Sequence, residues 1–118
     1  MTSISQALYE LLNERDTPVD EVLTRHFADE YRQSTNGEWV DRAGFAQQIE
    51  FLRAGIDIAD IDVVAELVQG DAYAERHLIQ VTQNDGTVAA QEAFVFATVA
   101  PDGRFLALEE LTRPTDDR

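Results

Sequence analysis

The chain has 118 residues, 44% of them apolar, which suits a single globular domain with one modest core. Its 23 acidic residues oppose nine basic ones, all arginine, giving a formal charge of −14 and a surface that argues against nucleic-acid or membrane partners. With no cysteine and only two histidines, disulfides, thiolate catalysis and cysteine-held metals are excluded, and a zinc site has little to rest on.

Ile4, Leu8, Leu11 and Leu12 recur at helical spacing, and Ser3 with Gln6 makes a capping-box pattern, so the first helix is predicted over 4–13. The opening residues lack a basic start followed by an apolar run, and no stretch approaches the roughly 20 apolar residues that span a bilayer; a cytoplasmic location is expected. Thr17-Pro18 restarts the chain, Val19, Val22 and Leu23 form one stripe, and this second helix ends near Phe27. A short strand is expected around Tyr31-Arg32-Gln33, with a turn at Asn36-Gly37 before Glu38-Trp39-Val40. Asp41 then caps a third helix whose stripe is Phe45, Ile49 and Leu52, and Gly55 stops it.

From residue 57 the period changes to that of strands, with runs over 58–68, 72–82, 87–99 and 104–112. Gly70, Asp85-Gly86 and Asp102-Gly103 punctuate them as an antiparallel meander. Helices followed by such a meander make an α+β fold with helices on one sheet face. One domain is expected over 1–118, with a polar tail from Pro114. The Asp57, Asp60, Asp62 and Glu66 series lacks calcium-loop spacing and reads as a solvated edge strand.

A two-residue loop at Asp85-Gly86 pairs Asn84 with Thr87, hence His77 with Phe94 and Ile79 with Glu92. The last hairpin then puts Phe94 beside Leu111 or Glu109. One face so assigned holds Tyr73, Glu75, His77, Glu92, Phe94, Phe96, Phe105, Glu109 and Leu111 and reads as a concave surface under helices. The other holds Ala93, Val95, Ala97, Val99 and Leu108, with Arg76, Gln91 and Glu110 among them, and reads as a flat surface buried against another subunit. A one-residue bulge reverses part of this assignment.

The ordered set Tyr31-Arg32-Gln33, the helix from Asp41 to the Leu52-Arg53-Ala54-Gly55 end, the Gly70-Asp71 turn before Glu75-Arg76-His77, and Asp102-Gly103-Arg104 before the last strand resembles the nuclear transport factor 2-like superfamily, and within it SnoaL-like polyketide cyclase proteins. The resemblance implies a cone-shaped, cystatin-like α+β fold: about three N-terminal helices pack on a curved, mostly antiparallel sheet around a pocket. It implies dimers formed through the sheet, and in some members cyclase, isomerase, dehydratase or epoxide hydrolase activity from Asp, His or Tyr in an apolar cavity. The chain departs from the cyclase pattern at Leu108-Glu109-Glu110-Leu111-Thr112-Arg113, where Arg113 stands near an expected acid–base Asp. It departs again at Gln33, where His is frequent among relatives.

His77 reads either as a histidine satisfied within the sheet or as a proton carrier in the cavity, with Glu92 or Glu109 as partner or base. Tyr31 is the candidate hydrogen-bond donor to a ligand oxygen. Trp39, Tyr73, Phe94, Phe96 and Gln33 are the expected pocket residues. Arg76 is expected to pair with Glu110 or Gln91 on the outer face, and His26 to sit at a helix end without chemistry. The expected ligand is a small apolar or carbonyl-bearing molecule, handled without metal or cofactor by an enzyme of the classes above or by a non-catalytic binding or dimerisation module.

Overall fold

A computed structural model describes residues 3–115. Three helices, α1 (Ile4–Asn13), α2 (Val19–His26) and α3 (Arg42–Gly55), lie on one face of a six-stranded sheet. The strands are β1 (Phe27–Thr35), β2 (Glu38–Asp41), β3 (Ile56–Gln69), β4 (Ala72–Gln83), β5 (Val88–Val99) and β6 (Phe105–Thr115). Spatial order is β2-β1-β6-β5-β4-β3, and only β1 and β6 run parallel. The last four strands form the expected meander, and β1 inserts beside β6 with β2 as its hairpin partner. Among the described residues no helix is long and apolar enough to cross a membrane.

The local signals explain the helix ends. Ser3 Oγ accepts the Gln6 amide at 2.9 Å, and Asp41 Oδ1 accepts that of Gly44 at 2.8 Å, so both side chains satisfy amides that a helix start leaves open. Helix α2 has no such side-chain cap; Pro18 itself occupies the cap position and its carbonyl accepts from Val22. Leu11, Leu23, Phe45 and Ile49 face the sheet, where Phe27, Tyr31, Tyr73 and Phe105 complete the core. Phe27 touches Tyr31, Phe45 and Phe105 at ring separations of 4.6, 5.5 and 5.9 Å, an aromatic cluster joining helix to sheet. Strand β6 runs on through Thr115, past the Pro114 at which a tail is expected, with Gln91 and Ala90 opposite its last two residues; 116–118 lie outside the described residues.

One loop corrects the register. Thr82 pairs with Val88, leaving Asn84, Asp85 and Gly86 at the tip, and Gly86 takes φ 90°. That is a three-residue hairpin loop ending in a left-handed glycine, not the expected two-residue loop. Asp85 Oδ1 accepts the Thr87 amide at 2.9 Å and holds this shape. His77 therefore pairs with Ala93 and Leu78 with Glu92. A slip of one residue moves every β5 side chain to the other face. Ala93, Val95, Ala97 and Val99 turn inward beneath the helices, while Glu92, Phe94 and Phe96 turn outward. Phe94 does lie beside Leu111, so Leu111 and Glu109 go outward with it, and Leu108 and Glu110 go inward. Phe105 escapes the reversal because an irregularity between Thr98 and Val99 shifts the pairing again.

Candidate functional site

Between α1, α3, β1 and the inner face of β4–β6 lies a cavity of about 520 Å³, within the range of small-molecule sites. Its apolar wall comes from Leu8 and Leu12 of α1, Phe45, Ile49 and Leu52 of α3, and Ile79 of β4. Polar groups are few and gathered on the strands: His77, Gln33, Thr35, Gln91 and Glu110, with Asn36, Glu38 and Gln48 beside them.

His77 is 2% exposed, and its Nδ1 lies 2.7 Å from Oε2 of Glu75, itself 3% exposed. The parity of a single strand brings these two together, since residues two apart share a face. The carboxylate fixes the ring proton on Nδ1, and Nε2 is left as the free nitrogen of a residue that lines the cavity. Glu75 is held in turn. Ser5 Oγ–H donates to Oε2 at 2.6 Å, Ser5 N–H to Oε1 at 3.3 Å, and the Tyr73 hydroxyl lies 2.6 Å from Oε1. The first turn of α1 thus sits on the Glu75 carboxylate, where the positive end of a helix favours an anion. Burial alone raises this carboxyl, but the hydrogen bonds from His77, Ser5 and Tyr73 outweigh it and hold it below the usual range.

Glu110 is the second carboxyl of the cavity. It is half-buried, and Oε2 accepts the Thr35 hydroxyl at 2.8 Å across the parallel β1–β6 pair. Here desolvation wins over the Thr35 bond and the attraction of His77, and the carboxyl is raised. Tyr31 also lines the cavity, but its hydroxyl donates to Gln33 Oε1 at 2.7 Å. Burial pushes that phenol upward, with the Glu110 charge adding to it. The Gln33 amide nitrogen reaches Thr35 only at 3.5 Å, a weak contact that leaves its N–H groups to the cavity.

The other sequence candidates lie elsewhere. Glu92 is on the outer face, clamped by Arg113 Nε at 2.7 Å and by Arg76 Nε at 2.5 Å, and these two guanidiniums lower its carboxyl, Arg113 foremost. Arg76 is outward as expected, but its partner is Glu92 and not Glu110 or Gln91, because of the register slip. Glu109, Phe94 and Phe96 are exposed on the same outer face. Trp39 stands opposite Ser34 with its ring under the Arg32 guanidinium at 4.2 Å, outside the cavity. Tyr73 is buried in the core behind His77. His26 Nε2 meets Glu10 at 2.7 Å between α1 and α2, away from the cavity. Of the expected site residues, His77, Tyr31 and Gln33 meet in the cavity; Glu110 joins them, and Glu75 stands behind His77. Two residues were missed: Glu75, which takes the place of Glu92 or Glu109 as the partner of His77 and was signalled by its position two residues away on one strand, and Glu110, signalled by the Asn84-Asp85-Gly86 triplet, which permits a three-residue loop. Among the described residues no three of His, Asp or Glu are grouped to hold a metal ion.

This layering of helices over a curved sheet around an inner cavity is the nuclear transport factor 2-like fold, and solved structures bear it out. An NTF2-like protein of unknown function from Exiguobacterium sp. 255-15 superposes with a TM-score of 0.71 at 19% identity, over 95% of this chain and 98% of that one. IdmH from Streptomyces antibioticus, a proposed polyketide cyclase, gives 0.72 at 20% identity, over 91% and 87%. A proposed SnoaL-like polyketide cyclase from Jannaschia sp. CCS1 gives 0.64 at 17%, over 95% and 90%. No protein-family model and no curated protein matches this sequence.

Proposed function

We propose that the chain binds a small, neutral, carbonyl-bearing or polycyclic molecule in the inner cavity and moves protons on it with its own side chains, as a cyclase, isomerase or dehydratase does. The observation that carries this reading is the buried Glu75–His77 pair at 2.7 Å on the cavity wall. An imidazole whose Nδ1 is held by Glu75 presents Nε2 to the cavity, where it can accept or return a proton. Glu110, raised by burial, is the second proton carrier. Gln33 is the hydrogen-bond donor toward a ligand oxygen, and Tyr31 orients Gln33, so the donor role moves two residues along β1 from the expected Tyr31. Two of the fold neighbours are proposed polyketide cyclases, in keeping with such chemistry. The test is a panel of aromatic ketones and hydroxylated polycycles followed by thermal shift. Wild type is expected to gain stability with a subset, and His77→Ala and Glu110→Gln to lose at least part of that gain. Identical shifts in all three proteins remove both residues from the site.

A second reading, a homodimer formed through the outer face, rests on a separate observation. Leu67, Leu111 and Phe96 are 74%, 66% and 61% exposed there, beside Phe94. A chain of charge −14 repels its own copy over most of its surface. On this face the Glu92 charge is compensated by two arginines, so two copies meet here at least electrostatic cost. Sedimentation is expected to show a dimer that Phe96→Asp converts to monomer; a wild-type monomer at high concentration ends this reading.

A further inference from the structure

Behind His77, on the side away from the cavity, the Tyr73 hydroxyl meets two carboxyl groups at once. Its oxygen lies 2.5 Å from Oε2 of Glu66 and 2.6 Å from Oε1 of Glu75, and it accepts the Ile4 amide N–H at 3.1 Å. Contacts that short are charge-assisted hydrogen bonds. A phenol owns one proton and turns it toward one carboxylate at a time, so Glu66 and Glu75 compete for it. Glu75 is already bonded to His77 Nδ1, whereas Glu66, opposite Glu75 on the edge strand β3, is exposed. An unbroken line of hydrogen bonds therefore runs from the cavity histidine to solvent at the sheet edge.

We infer that Glu75, Tyr73 and Glu66 form a proton relay between His77 and bulk water, separate from the mouth of the cavity. When Nε2 takes a proton from a bound molecule, the Nδ1 proton moves to Glu75. Glu75 turns its carboxyl to bring that proton from the imidazole side to the phenol side and hands it to the phenol oxygen as the phenol proton passes to Glu66, which releases it to water. Only N–H and O–H bonds are made and broken, and Glu75, Tyr73 and Glu66 each end with the protons they began with. In the return step the flow reverses, water supplying Glu66 while Nε2 gives its proton back. The relay lets a filled, water-free cavity shed the charge that builds on the imidazole.

The relay rests on His77 as the proton carrier of the cavity, but its test needs no ligand. Solvent exchange of the His77 Nδ1 proton is followed by nitrogen-edited NMR in wild type, Glu66→Gln and Tyr73→Phe. Exposed Glu66 tolerates the amide, so this variant reads the relay without loss of the fold. Both substitutions are expected to slow that exchange about a hundredfold, the lower end of what a positioned proton carrier contributes, with β4 backbone amides unchanged. A purely structural Tyr73 predicts the opposite, faster exchange of the ring proton and β4 amides together on loss of its bonds. Unchanged exchange, or exchange that quickens with the amides, overturns the relay and leaves the ligand-binding result untouched. Failure of His77 to affect ligand binding leaves a slowed exchange standing.

Discussion

The two faces of β4–β6 carry the same residue types and use them differently. On the outer face, Glu92 lies between the guanidiniums of Arg113 and Arg76, which keep it charged and give it no proton to exchange. On the inner face, Glu75 is held by a hydroxyl, an amide, a phenol and an imidazole, with no arginine among them. Glu110, with one hydroxyl for company, has its carboxyl raised. A carboxylate clamped by permanent cations is a structural brace. One held by hydroxyl, amide, phenol and imidazole groups sits in a line of exchangeable protons, even where, as at Glu75, those bonds also hold the carboxyl below the usual range. The aromatics divide in the same way, Phe105 filling the core and Phe96 facing outward.

The largest effect that separates the faces is therefore expected from phenylalanine truncation. Phe105→Ala removes a ring packed between Phe27 and Tyr73, and is expected to cost about 3–5 kcal/mol in urea unfolding. Phe96→Ala in the isolated monomer is expected to cost about 0.5 kcal/mol or less. A larger Phe96 loss that grows with protein concentration sharpens the comparison in favour of the dimer, because only an interface makes outer-face burial concentration-dependent. Next in size is Glu75→Ala, which leaves the His77 N–H and the Ser5 hydroxyl without their acceptor, while the Tyr73 hydroxyl keeps Glu66, and is expected to cost about 3 kcal/mol. Because the folded carboxyl is lowered, that contribution is complete above the unfolded value of 4.5 and disappears as pH falls through the folded value. Unfolding curves that show the Glu75→Ala deficit undiminished at the lowest pH at which the protein remains folded contradict this account.

How much was legible in the sequence follows from the range of each signal. Helix ends depend on contacts three residues away, and Ser3–Gln6 and Asp41–Gly44 stand where the capping patterns put them. The partnership of Glu75 and His77 depends only on alternation within one strand, so their common face was readable, though not the depth at which Ser5 and Tyr73 bury them. The face of β5 and β6 depends on a single residue in the Asn84–Gly86 loop, and Asp85-Gly86 fits loops of two or three residues. That ambiguity carried Glu92, Glu109, Phe94 and Phe96 to the wrong side and hid Glu110. Ala93, Val95 and Ala97 held the counter-signal. Small side chains let helices approach a sheet closely, so their alternation marked the covered face.

The smallest expected effect is a gain in stability. A carboxyl whose folded value is raised binds its proton more tightly in the native state than in the unfolded chain. Above the unfolded value of 4.5, ionisation of Glu110 therefore opposes folding, and the penalty grows until the folded value is passed. Glu110→Gln keeps the shape, and its side-chain oxygen still accepts from Thr35, but it carries no charge to desolvate. The variant is expected to be more stable than wild type at neutral pH and equal to it below pH 4.5, the difference opening as pH rises. The same substitution at Glu92 is expected to do the reverse, since it breaks two ion pairs on the outer face. Opposite signs for one substitution on adjacent strands follow only from the two-faced arrangement. Should Glu110→Gln destabilise the protein at neutral pH as Glu92→Gln does, Glu110 is a brace like its outer counterpart and leaves the proton chemistry to His77.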